Sequence, residues 1–157
     1  MRTLALLVAM IVAAPLAIAA PGPRGTPAVT IKSANDASPG VLDPRTRMRH
    51  GEIVRRALRD ALRRSGADIR HAGIPPRQLD ITIVKWRVTP SAGGVDVSTE
   101  LRVVVCDEQG KILSIVTGRA RISAPGHTTP LVELRAQALA EAVGGMTRSL
   151  QSQFAAS

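Results

Sequence analysis

The chain has 157 residues, a formal net charge of +9, one cysteine, one tryptophan, one phenylalanine and no tyrosine. A single cysteine excludes an intrachain disulfide, and so few aromatic rings argue against the stacking platform that single-stranded nucleic acid requires. What is left is a basic chain long enough to bury one core, with an acidic partner as the simplest use of its charge.

The first twenty residues, MRTLALLVAMIVAAPLAIAA, contain one arginine, an apolar run from Leu4 to Ala14, Pro15, and small residues ending Ala17-Ile18-Ala19. That is the three-part pattern of a secretory signal. A cut after Ala20 would leave Pro21 immediately beyond it, so cleavage is expected after Ala19. The run is short and broken by Pro15, which argues against an uncleaved membrane span. Residues 1–19 are therefore expected to be a signal peptide, 20–27 (APGPRGTP) a flexible lead-in, and 28–157 a single α+β domain without a transmembrane span. The expected location is the periplasm or the exterior, with peripheral attachment to the outer membrane as one form of it.

AVTIK, residues 28–32, reads as a short strand, and SANDASPGVLDP, residues 33–44, as turn. A helix is expected from about Arg45–Arg49. Val54, Leu58, Ala61 and Leu62 recur at three- and four-residue spacing, Met48 and Ile53 extend the stripe, and Gly66 is the natural stop. On the polar side Glu52, Arg56, Asp60 and Arg64 alternate in sign every four residues and should partly satisfy one another. Arg55, Arg59 and Arg63 form a second line with no interleaved acid. That line is the candidate anion- or partner-binding stripe, a solvated helix face being the bland alternative.

Three strands follow in close order: Leu79–Val88, then after TPSAGG the segment Val95–Cys106, then after DEQGK the segment Ile112–Ser123. In the middle one, Val95, Val97, Leu101, Val103 and Val105 share one parity while Asp96, Ser98, Glu100 and Arg102 share the other. A sheet with one buried and one wetter face would produce that alternation. Thr129 and Pro130 can open a last helix whose stripe is Leu131, Leu134, Ala138, Ala142, Met146, Leu150 and Phe154, with Gly144-Gly145 as a weak point. The predicted order is β-α-β-β-β-α: one mostly antiparallel four-stranded sheet with two helices packed on one face.

Residues able to carry chemistry are sparse. Cys106 has no histidine or cation beside it in sequence and reads as a small packed thiol. His50, His71 and His127 lack the spacing of metal ligands, and Asp107-Glu108 fall at a hairpin tip. No nucleophile, phosphate-loop or dinucleotide motif is present, so no catalytic, cofactor-binding or metal-binding residue is predicted. Trp86 is expected in a core or an interface.

AVTIK, LRRSGADI, LDITIVKWRV, VDVSTELRVVVCD, GKILSIVTGRARIS and the final helix follow one another in an order that resembles small bacterial envelope proteins of the lipopolysaccharide-assembly lipoprotein type and their YajG-like relatives. The resemblance implies an α+β envelope module that binds a partner protein or an anionic lipid such as lipopolysaccharide. Those families carry lipid on a mature N-terminal cysteine, whereas the cysteine of this chain is Cys106. The expected function is an exported, non-enzymatic interaction or assembly module. The alternatives are a small secreted enzyme whose site assembles only in three dimensions, for which a deep polar pocket around a histidine would be the mark, and a general polyanion binder. Export argues against nucleic acid as the partner.

Overall fold

The computed structural model describes residues 29–40, 42–66, 75–125 and 129–155. The expected signal peptide and lead-in, and with them His71 and His127, lie outside the described residues. The elements are β1 (Val29–Asp36), α1 (Pro44–Arg64), β2 (Arg77–Ser91), β3 (Gly94–Cys106), β4 (Ile112–Pro125) and α2 (Leu131–Ala155). They form one four-stranded sheet in the order β1-β2-β3-β4. β1 and β2 are parallel, joined through α1, and the two remaining pairings are antiparallel hairpins.

α1 begins earlier than its apolar spacing suggested because Asp43 caps it. The Asp43 carboxylate accepts from the Thr46 amide at 3.0 Å, and Pro44, which has no amide hydrogen to leave unsatisfied, occupies the first turn. The helix closes at Ser65, followed by Gly66 at a φ of 69°. Val54, Leu58, Ala61 and Leu62 are buried as the spacing predicted. Met48 is not on that stripe; it is 67% exposed. α2 buries Leu134, Ala138, Ala142, Met146 and Leu150, while Leu131 remains 40% exposed at the first turn. Pro130 sits just before the helix, where its carbonyl accepts from the amides of Glu133 and Leu134. Gly144 and Gly145 do not interrupt α2.

Both helices cover the same face of the sheet, α1 over β1 and β2 and α2 over β3 and β4, and they touch each other between. Leu58 of α1, Ile81 of β2, Val103 of β3 and Leu139 of α2 belong to one core and are fully buried. A glycine lies where each helix crosses closely. A Cβ on Gly51 would strike the Ala34 carbonyl of β1, and one on Gly118 would strike the Ala142 carbonyl of α2.

Register shifts in all three pairings decide which side chains face which way, the one between β3 and β4 falling between Val105 and Cys106. β1 runs four residues beyond AVTIK, through the segment expected as turn, and its pairing slips between Ile31 and Ser33. The pairing of β2 with β3 slips between Ile83 and Lys85, leaving Val84 extra. A bulge of this kind inverts the alternation of everything beyond it. Leu79, Ile81 and Ile83 therefore point to the helices, and so does Trp86, while Lys85 and Arg87 point away.

Candidate functional site

With both helices on one side, the opposite face of β2, β3 and β4 is uncovered. Cross-strand register sets its rows: Arg87, Ser98 and Arg121 lie side by side, then Lys85, Glu100 and Arg119, then Thr82, Arg102 and Thr117. The first two rows line a shallow groove of about 520 Å³. Five cations thus share one surface with three acids, Glu100, Asp96 and, at the far end of β2, Asp80, whose carboxylate accepts from the Ser33 hydroxyl. Arg119 binds Glu100, Nε to Oε2, at 3.0 Å. Arg121 binds Asp96, which also accepts from the Ser123 hydroxyl at 2.6 Å. The Arg121 and Ser123 hydrogen bonds hold the Asp96 carboxyl below its usual value, and the same pairing raises Arg121. These two guanidinium groups are anchored yet remain 73% and 70% exposed. Lys85, Arg87 and Arg102 are exposed, and among the described residues their side chains have neither an ion pair nor a hydrogen bond. A planar array of anchored and unpaired cations is suited to phosphate or carboxylate oxygens, which guanidinium groups meet with paired donors.

The helix stripe is arranged differently from its expectation. Arg55 is not without an acid, because its Nε lies 3.7 Å from Glu52 Oε1 across i,i+3, and the side chain is only 30% exposed. Glu52 is thereby taken by Arg55 rather than by Arg56. Arg59 and Arg63 are exposed. They lie on the helix side of the sheet, opposite the open face. The five open-face cations were not singled out from sequence, although a signal existed. KWR, ELR and GRAR place cations at alternate positions on three successive strands of one meander.

A second polar cluster is buried between β1, α1 and β2. The Asp36 side chain is fully buried; its Oδ1 accepts from the Ser38 amide at 3.0 Å and from the Ser38 hydroxyl. Its Oδ2 receives His50 Nδ1 at 2.7 Å and the indole Nε1 of Trp86 at 3.3 Å. Burial pushes the Asp36 carboxyl up, but the Ser38 and His50 hydrogen bonds outweigh it and hold the group below the ordinary aspartate value. Arg47 closes the loop above, donating to the carbonyls of Asp36, Ser38 and Gly40 at 2.9 to 3.0 Å. Serine, histidine and aspartate meet here, yet not in the order that activates a nucleophile. The serine hydroxyl bonds the carboxylate, whereas a relay needs it on the imidazole. The cluster ties β1 to α1 and β2, and Trp86 is the core residue expected of it, with Arg135 stacked 5.9 Å from its ring centre.

Cys106 is buried at the end of β3. Asp107 caps the following turn, its carboxylate accepting from the amides of Gln109 and Lys111. Among the described residues no group of histidine, cysteine, aspartate and glutamate is placed to hold a metal ion, and no helix is long and apolar enough to cross a membrane.

No family model matches the chain, and no curated protein matches it. Solved structures share its fold. A Helicobacter pylori protein described as a neuraminyllactose-binding hemagglutinin homologue aligns with a TM-score of 0.50 at 14% identity, over 82% of this chain and 84% of that one. A Caulobacter crescentus CB15 protein described as a lipoprotein gives 0.49 at 14% identity, over 77% and 88%. A lipoprotein of Neisseria meningitidis gives 0.41 at 14% identity, over 82% and 98%. At 14% identity the likeness is one of fold alone. It does not single out the lipopolysaccharide-assembly or YajG-like families.

Proposed function

We propose that the protein is an exported, non-enzymatic interaction module of the bacterial envelope whose partner, a protein or a glycolipid, is anionic. One observation carries the reading: the sheet leaves a whole face uncovered, and that face holds five cations against three acids, with Lys85, Arg87 and Arg102 unpaired among the described residues. Lys85, Arg87 and Arg102 have no acid of their own among the described residues, and a ligand that supplies negative charge gives them one. Arg55, Arg59 and Arg63 offer a second and smaller positive line on the other side of the molecule. Export rests on the leader of residues 1–19, and periplasmic residence or peripheral attachment to the outer membrane follows from it.

Fractionation of cells expressing the full chain tests this reading. The protein should be recovered from the envelope with an intact mass beginning at Ala20, and high salt should release it, because screened charges no longer hold it. Recovery from the cytoplasm with the leader intact would overturn export. Retention in the membrane fraction at high salt would overturn an electrostatic partner.

A further inference from the structure

We infer that the open face of the sheet docks on a membrane surface rich in anionic phospholipid, with Leu113 and Ile115 entering the headgroup region while the cations of the same face meet the negative headgroups. This rests on the reading of an anionic partner and names its chemistry. Ser114 turns toward α2, where its hydroxyl meets Gln153, so Ile115 turns to the open side, and Leu113 is the extra residue where the pairing of β3 with β4 slips between Val105 and Cys106. Leu113 and Ile115 are 44% and 56% exposed, and the row of Ile115 continues through Val104, half-buried, to Asp80, whose carboxylate is taken by the Ser33 hydroxyl. Two residues along β4 the character changes to Thr117 and Arg102, and four along it becomes Arg119 and Glu100. Four strand residues span about 13 Å, so one surface carries an apolar end and a cationic end side by side. A soluble polyanion would use the cations and leave Leu113 and Ile115 in water. An acidic protein would meet an exposed apolar pair for which it has no fixed need. A bilayer with negative headgroups satisfies both ends at once, through attraction to each basic residue near its surface and burial of the apolar pair.

The exported, purified protein is mixed with phosphatidylcholine vesicles containing phosphatidylglycerol and, separately, with pure phosphatidylcholine vesicles and soluble polyphosphate. Three variants accompany it: Lys85→Ala/Arg87→Ala/Arg102→Ala, Leu113→Ser/Ile115→Ser, and Arg55→Ala/Arg59→Ala/Arg63→Ala. The first set removes unpaired cations and so leaves no acid without its partner. Trp86 fluorescence confirms that each variant is folded. The expected result is binding to the anionic vesicles only, weakened about a hundredfold by the sheet triple variant and about tenfold or more by the apolar double variant, with the helix triple variant within about threefold of the parent. Loss of binding in the helix variant with full retention in the sheet variant would overturn the docking face and leave an anionic partner standing. Binding to polyphosphate but not to vesicles would overturn the membrane while keeping the charge. Binding to neither would overturn this inference and leave an acidic protein as the partner of the proposed function.

Discussion

Asp36, the last residue of β1, and His50, in the second turn of α1, are joined by a 2.7 Å hydrogen bond between Oδ2 and Nδ1, with side-chain exposures of 0% and 7%. The carboxylate can only accept, so the imidazole hydrogen sits on Nδ1. The same carboxylate holds Ser38 and Trp86, and three segments of chain meet on one charge. Asp36→Ala would leave these donors buried and unpaired, at a cost of about 3 to 5 kcal/mol. Asp36→Asn keeps the volume and one acceptor and should cost less, about 1 to 3 kcal/mol. Chemical denaturation followed by Trp86 fluorescence reads both. Equal stability in all three proteins would remove the hub from the account of the fold.

The same group predicts acid sensitivity. Its folded pKa lies below its unfolded one. The stability it contributes is therefore complete above the unfolded value, about 3.9, and is lost as pH falls through the folded value. Thermal melts from pH 6 down to pH 2 should show a falling midpoint below about pH 4, and the fall should be shallower in Asp36→Asn. A parallel fall in the two proteins would assign the effect to other carboxylates.

Glycines in this chain should divide sharply by position. Gly118→Ala places a Cβ against the Ala142 carbonyl and 3.0 Å from Met146 Cβ, so α2 must lift from β4, at about 1 to 3 kcal/mol. Gly144→Ala and Gly145→Ala meet nothing within 4 Å and sit in a helix interior, where alanine should stabilise by about 1 kcal/mol each. Melting temperatures of the three single variants check this, and a destabilised Gly144→Ala would contradict it.

Leu58 and Val103 come from different layers and share one core, both at 0% exposure. Aspartate at either site buries a charge with no partner, which costs several kcal/mol of the roughly 5 to 15 kcal/mol that holds a domain together. Each variant should be unfolded or should melt far below the parent by circular dichroism. Arg59→Asp, on the exposed side of the same helix, should shift stability by less than about 1 kcal/mol.

Much of the fold was legible in the sequence, because apolar periodicity is local and both helices and the meander repeat theirs over many residues. The stripe Val54, Leu58, Ala61 and Leu62 and the row Val97, Leu101, Val103 and Val105 are buried as their spacing requires. Where that reading failed, the deciding contact, or the lack of one, is not written in apolar periodicity. SAND extends β1 because β2 pairs with it in parallel, and Arg55 has a partner because Glu52 reaches one turn along the helix. Met48 and Leu131 have helical spacing but lie where no opposing layer covers them.

The sequence by itself determined the element order, the two amphipathic helices, the alternation of β3 and the excess of positive charge. Only the tertiary structure decided where that charge is concentrated. The extra residue at Val84 inverts the alternation of β2, placing Trp86 over the core and Lys85 and Arg87 on the opposite side. Antiparallel register then brings Arg102, Arg119 and Arg121 onto the same surface from two other strands. Neither step is written in any one segment, since a bulge is a mismatch between two strands and a register is a property of their pairing.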